Sequence, residues 1–184
     1  METTEKTVTS TKWSNDPTHS ELTFKVKHLM ITNVKGEFRK FDVSVESDGS
    51  DFSNAKVSVK IDASSIDTNN NDRDTHLKSA DFFDVENHKE ITFESTELNK
   101  LDEDNYQLKG ILSMKGTNKE VVLDVDFGGF IKDLYGNEKA GFSITGKFNR
   151  KDWGLNWNAA LETGGLMVSE EVKLNAEVQL VKQS

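Results

Sequence analysis

The chain of 184 residues contains no cysteine. This absence excludes disulfide bonds, thiolate metal sites and a cysteine nucleophile. No stretch approaches the roughly 18 consecutive apolar residues of a membrane-spanning helix, so we predict no integral membrane segment. Basic residues number 23 against 32 acidic ones, which gives a net charge of -9. Because nucleic acids and anionic membranes attract a basic face, this balance predicts that the protein does not bind nucleic acid or anionic membrane surfaces.

The common motifs of catalysis and phosphate binding are missing as well. The sequence contains no GxSxG, no P-loop and no GxGxxG. Its four histidines, His19, His28, His76 and His88, lack the HxH or HExxH spacing of metal ligands. We therefore predict no catalytic residue, no metal site and no required cofactor.

The N-terminal region is polar. Residues 1–11 are rich in threonine and predict a flexible tail. They lack the basic and apolar regions of a secretory signal, so we expect a cytoplasmic protein. A signal peptide trimmed from the chain would instead place it in the periplasm or outside the cell. Residues 12–184 contain no repeat and no linker, which predicts a single domain.

Most of the chain alternates apolar and polar residues with period two, as strands with one buried face do. Short polar or glycine turns join these segments, which favours sequential antiparallel strands. Strands of up to about ten residues, interrupted at Gly110 and Gly146 as bent barrel strands are, favour an all-β, eight-stranded antiparallel barrel over a sandwich. The predicted strands are 21–28, 41–46, 55–62, 91–94, 106–114, 121–127, 140–148 and 172–180.

Residues 65–84 form the one long segment without alternation, and we predict a short helical insertion around residues 68–80. The segment contains Arg73, Asp74 and His76. One interpretation is an anion- or head-group-binding site, with Arg73 and His76 as donors and Asp74 orienting one of them. The other is a capped helix whose N-cap lies near residues 71–72 and whose buried anchor is Leu77.

Other positions also allow two interpretations. Arg150 either contacts a ligand or pairs with an acidic residue and closes the barrel. The apolar runs Leu29-Met30-Ile31 and Phe82-Phe83 lie outside regular alternation. Such runs suit the lining or lid of a cavity, and equally an ordinary core plug or a dimer contact.

Four ordered blocks of sequence resemble the YceI-like family, over residues 12 to 181. The first contains His28-Leu29-Met30, and the central one contains Arg73-Asp74-x-His76-Leu77-Lys78-Ser79-x-Asp81-Phe82-Phe83-Asp84. The later blocks are Leu108-x-Gly110-x-Leu112-x-Met114-x-Gly116 and Phe148-Asn149-Arg150-x-Asp152-Trp153-Gly154. Together the four blocks make the resemblance specific.

The resemblance implies a bacterial lipocalin-like barrel with a long apolar pocket for polyisoprenoid chains. The bound lipid would be an isoprenoid quinone, an isoprenyl phosphate or another long amphiphile, and the protein would form a homodimer. We therefore expect a carrier of a long-chain isoprenoid or similar amphiphilic lipid. The alternatives are an enzyme that acts on such a lipid through His28, Asp74 or His76, and a stress-associated structural barrel with a filled interior.

The expected site has two parts. The apolar pocket residues are Phe24, Val26, Met30, Phe38, Leu77, Phe82, Phe83, Phe93, Leu112, Phe142, Ile144 and Phe148. The head-group candidates are His28, Arg73, His76 and Arg150.

Overall fold

Antiparallel strands dominate the computed structural model, which describes residues 10–29, 31–158 and 168–183. Eleven strands form one sheet, and two short 3-10 turns lie at Ala63–Ser65 and Arg150–Trp153. The strands are β1 Ser10–Asn15, β2 Glu21–His28, β3 Thr32–Phe38, β4 Phe41–Asp48, β5 Asp51–Asp62, β6 Ile66–Asp67, β7 Glu90–Lys100, β8 Asn105–Met114, β9 Thr117–Lys132, β10 Glu138–Asn149 and β11 Glu171–Lys182.

Eight of these strands close into a barrel, in the order β1-β4-β5-β7-β8-β9-β10-β11. Pairing of β1 with β11 makes the closure, and Trp13 lies opposite Lys182 and Asn15 opposite Leu180. Every pairing in the sheet is antiparallel. The predicted eight-stranded antiparallel barrel is therefore confirmed, and it has no free edge along the closed part.

One side of strand β11 pairs with β10, and the other side pairs with two different strands along its length. Its last residues pair with β1, and its earlier part pairs with β2, from Lys173–Lys25 to Glu177–Glu21. Strand β2 continues through β3 to the two-residue β6, so these three strands extend the wall beyond the seam. Because β1 begins at Ser10, the predicted tail of residues 1–11 reaches two residues too far into the barrel.

A hydrogen-bonded cluster of charged side chains lies beside this seam. The Asp16 carboxylate accepts hydrogen bonds from Lys139 at 3.0 Å and from Thr18 at 2.8 Å, and it lies 2.9 Å from the His19 ring. These contacts hold the pKa of Asp16 well below its usual range. The carboxylate therefore links the connection after β1 to β10, in addition to the backbone pairing.

Residues Asn71–Lys78 form α1, the one α-helix in the part of the chain that the structure describes. Its N-cap is Asn70, whose side chain accepts a hydrogen bond from the Arg73 backbone N–H at 3.0 Å. The predicted helical insertion is confirmed, with the cap one residue earlier than expected. Within the described ranges no helix is long and apolar enough to cross a membrane.

Glycines let aromatic rings lie flat against the inner wall of the barrel. A Cβ atom at Gly36 would lie 2.2 Å from Cζ of Phe24, which is its cross-strand partner. A Cβ atom at Gly110 would lie 2.5 Å from Cζ of Phe93 and 2.4 Å from the Glu94 carbonyl oxygen. These glycines therefore provide close approach of rings to the wall. Gly110 also pairs with Ser95, where the register between β7 and β8 shifts, and the bend expected at Gly110 stays a prediction.

Candidate functional site

The interior of the barrel holds a cavity of about 550 Å³. This volume is typical of sites for small organic ligands. The walls are almost entirely aliphatic and aromatic side chains, contributed by the inward faces of the strands. A barrel whose interior is simply filled is therefore not what this sequence forms.

The residues predicted for the apolar pocket lie on this cavity wall. Eleven of them contact the space, namely Phe24, Val26, Phe38, Leu77, Phe82, Phe83, Phe93, Leu112, Phe142, Ile144 and Phe148. Met30 lies outside the described residues. That these side chains contact a lipid stays a prediction.

Among the described residues, the polar side chains that line the cavity all lie at one end. They are His28, Thr68, Asp72, Arg73, His76 and Arg150, so all four head-group candidates belong to the set. Contacts connect them: His28 forms a β-bridge with Val168, whose carbonyl oxygen accepts from Arg150 at 3.3 Å. The ring of His76 meets Trp157 edge-on, with centroids 4.6 Å apart. We call this region, with its six polar residues, the polar end.

Arg73 and Asp74 converge on the buried Thr68. Arg73 donates from Nε to the Thr68 hydroxyl at 2.7 Å and from Nη2 to the Thr68 carbonyl at 2.6 Å. Asp74 accepts from the Thr68 backbone N–H at 2.8 Å and from its hydroxyl at 2.5 Å. Asp74 therefore orients neither Arg73 nor His76 directly, contrary to one expectation. Three of the five N–H donors of Arg73 have no hydrogen bond within the described residues.

The two histidines at the polar end differ in their surroundings. The Nε2 atom of His76 lies 2.9 Å from the Asp81 carboxylate, and its ring also packs edge-on against Phe82. His28 is half-buried at the end of β2 and lines the cavity. Asp74, the third residue of the enzyme hypothesis, does not line it.

Arg150 is buried and donates four hydrogen bonds to backbone carbonyls. It is 4% exposed. The acceptors, at 2.6–3.3 Å, are the carbonyl oxygens of Leu155, Trp157, Val168 and Ser169. Burial lowers the pKa of the Arg150 guanidinium, because desolvation disfavours the charged form. The side chain therefore pins the segment after β10 to the segment before β11.

The expected pairing of Arg150 with an acidic residue is wrong within the described part of the chain. The neighbouring carboxylate of Glu170 instead pairs with Lys151 at 2.7 Å. The Arg150 guanidinium carbon lies 5.9 Å from the centroid of the Phe82 ring, a cation–π contact that supports its charge. With four of its five N–H donors used, Arg150 has less to offer a ligand than Arg73.

A layer of aromatic rings closes the opposite end of the cavity. Phe52 and Phe142 line the space and meet edge-on, with centroids 5.0 Å apart. Sequence reasoning missed Phe52, because it is out of phase with Ala55 and the rest of its strand. The register with β4 shifts here, since residues 52–55 lie opposite Ser47 alone, and Asn54 within this irregularity has φ of +61°. Phe52 and Ala55 are therefore both buried although they are an odd number of residues apart. Sequence reasoning also did not select Thr68 or Asp72 as lining residues, whereas Trp153 and Trp157, which flank Gly154 and were expected near a barrel mouth, do line the cavity.

Comparison with known proteins identifies the family. The YceI-like domain model matches residues 13–180. The chain belongs to the YceI-like family. UPF0312 protein SERP2314 of Staphylococcus epidermidis is 42% identical over 170 residues, which cover 92% of this chain and 96% of the relative.

Solved structures share the fold of this chain. A Campylobacter jejuni YCEI protein is 33% identical, with a TM-score of 0.75 over 87% of this chain and 91% of its own. A polyisoprenoid binding domain from Saccharophagus degradans is 15% identical, with a TM-score of 0.65 over 93% of this chain and 98% of its own. The second likeness supports the barrel fold alone.

The described residues contain no group of three or more histidine, cysteine, aspartate or glutamate side chains that could hold a metal ion.

Proposed function

We propose that this YceI-like protein binds and carries a long-chain isoprenoid or similar amphiphilic lipid. The hydrocarbon tail lies in the barrel cavity and the head group lies at the polar end. The observation that carries the proposal is the division of one cavity into a long apolar part and a single polar end. An amphiphile has the same division.

The apolar part of the cavity suits a hydrocarbon chain. Each methylene group removed from water contributes about 0.8 kcal/mol, so a tail of many carbons gains strong binding without any polar contact. A sugar or a nucleotide would need several convergent polar groups along its length. The described walls offer such groups only at the polar end. The Saccharophagus degradans domain, which shares the barrel fold, is named as a polyisoprenoid binding domain, and the ligand proposed here is of that class.

The head group belongs beside Arg73. Its unused N–H donors, and the imidazoles of His28 and His76, can donate to a phosphate or to a quinone carbonyl. Asp72 lines the same region, so a strongly anionic head group must approach Arg73 from the side away from Asp72. An isoprenyl phosphate and an isoprenoid quinone both fit this description.

Ligand identity is tested by native mass spectrometry of the purified protein, followed by organic extraction. Affinity is then measured by displacement of a fluorescent farnesyl probe. Ile144 lines the cavity, and Ile144→Asp puts a charge in it. We expect this variant to bind the probe more than about a hundredfold more weakly, because the carboxylate has no partner there.

The matched control is Thr145→Asp, one residue along the same strand and exposed to solvent. It adds the same charge outside the barrel, so its affinity should equal that of the wild type. Thermal unfolding of both variants separates loss of the site from loss of the fold. Equal affinities for Ile144→Asp and Thr145→Asp, with both folded, would contradict a tail site inside the barrel.

A further inference from the structure

The aromatic layer opposite the polar end has an inner and an outer part. Phe52 and Phe142 line the cavity, whereas Trp13, Phe127 and Phe130 do not. Those three rings pack behind the first two. Phe52 has a centroid 5.3 Å from Trp13 and 5.9 Å from Phe130, and Phe127 lies 5.2 Å from Phe142.

Strand β10 gives the direction of the cavity. Phe142, Ile144 and Phe148 line it in order along the strand, and Arg150 at the polar end follows directly. Phe142 therefore stands at the end away from Arg150, and Phe52 stands against Phe142. The eight-residue span from Phe142 to Arg150 is about 26 Å of extended strand, so the cavity is long in this direction.

Phe52 is the ring that terminates the space. It is 2% exposed, and it contacts all four other members of the layer, so it cannot swing aside without disturbing them. The outer ring of Phe130 is 48% exposed, so solvent lies directly behind the layer. A tail that reaches Phe52 has no further apolar space to enter.

We propose that Phe52 sets the longest isoprenoid tail that the cavity admits, as the floor against which the tail ends. The proposal rests on the proposed function, and it adds a residue that determines ligand length. A tail that ends short of Phe52 leaves apolar space unfilled, and a longer tail must leave its last carbons at the polar end or in water.

The test changes the depth of the cavity and measures which tail fits best. Phe52→Ala should deepen it by on the order of 100 Å³, as other large-to-alanine core changes do, which is roughly a fifth of the present volume. Farnesyl and geranylgeranyl probes with the same diphosphate head group are compared by competition. We expect the affinity ratio to shift at least about tenfold toward the longer probe, because burying two more carbons suffices for that.

The matched control is Phe93→Ala. Phe93 also lines the cavity and is also buried, at 5% exposed, but it lies on the side wall over Gly110. Its removal widens the cavity without deepening it, so the ratio between the two probes should change little. Phe52→Trp should shift the ratio toward the shorter probe. Phe52→Leu, a smaller change, is measured alongside in case Phe52→Ala does not fold.

If the affinity ratio between the longer and the shorter probe changes in the Phe52 variants but not in Phe93→Ala, the result supports Phe52 as the residue that limits tail length. Binding that persists with the same length preference in Phe52→Leu and Phe52→Trp overturns it, and so does an equal shift in Phe93→Ala. Failure of the wild-type protein to bind any of the isoprenoid probes overturns the proposed function, and the floor with it. Binding without length selection overturns the floor alone.

Discussion

Replacing Arg150 with lysine keeps the positive charge and removes the planar fork that reaches four backbone carbonyls. A lysine ammonium carries three donors at a single point, whereas the acceptors of Arg150 are spread over two separate chain segments. We therefore expect at least two of the four carbonyls to lose their partner. The lost hydrogen bonds lie in the two chain segments beside the polar end, because the four carbonyls belong to Leu155 and Trp157 in one segment and to Val168 and Ser169 in the other.

The expected decrease in the free energy of unfolding follows from the number of carbonyls that lose their hydrogen bond. An unsatisfied buried acceptor costs about 1–3 kcal/mol, and water reaches part of this region, so two such acceptors give about 2–4 kcal/mol. For a domain of this size the melting temperature should fall by roughly 4–16 °C. Urea unfolding followed by tryptophan fluorescence measures the free energy of unfolding, and thermal scans measure the melting temperature.

Arg39→Lys is the matched control for Arg150→Lys. The Arg39 side chain is 61% exposed and pairs at the surface with Glu37 and Asp67. Such pairs contribute about 0–1 kcal/mol, so this variant should unfold almost like the wild type. If Arg150→Lys is as stable as Arg39→Lys, the carbonyl contacts do not support the fold. If it is equally stable but loses lipid, Arg150 contacts the head group instead.

Three further predictions concern the wall, the head group and assembly. Gly36→Ala should push the Phe24 ring into the cavity and weaken binding of long tails, whereas Gly141→Ala, where a Cβ meets nothing within 4 Å, should leave binding unchanged; probe displacement measures both. Arg73→Ala should weaken an isoprenyl diphosphate more than an uncharged quinone, by about 1.5–3 kcal/mol, and equal losses with a lower melting temperature would mean that Arg73 only holds Thr68. Light scattering at micromolar concentration should give about twice the chain mass of 20.7 kDa, and a monomer at every accessible concentration would contradict the predicted homodimer.

Alternation predicted the strands that have one apolar and one wet face. Strand β10 is such a case. Phe142, Ile144 and Phe148 are separated by two and four residues, so they lie on the same face of the strand, and all three line the cavity. Strand β3 was missed because its inward face has only two apolar side chains, Val34 and Phe38, with Gly36 between them, so the apolar alternation is short and weak. It lies in the sheet because β2 offers a complete row of backbone partners. Strand β1 was also missed, because Trp13 is the one large apolar residue in Ser10–Asn15, although it is only 3% exposed.

The polar end was harder to predict than the strands. The sequence suggested Arg73, His76 and Arg150 as polar candidates, and the structure brings all three to one end of the cavity. What each of them contacts depends on loop backbone, because Arg150 binds main-chain carbonyls that carry no sequence signature. Phe52 was missed for another reason. The strand is irregular around Asn54, which has a left-handed backbone, so Phe52 is buried although it does not fit the alternation of Ala55, Val57, Val59 and Ile61.

The seam between β1 and β11 joins residues 13–15 to residues 180–182. A ribosome must therefore release the chain through residue 182 before the barrel can close, and until then the inner faces of the earlier strands stay open to water. Pairings this distant in sequence also form slowly. The nascent protein thus exposes its most apolar surface throughout synthesis, which makes it a candidate for chaperone binding at that stage. A barrel built this way encloses its cavity only once β11 is in place.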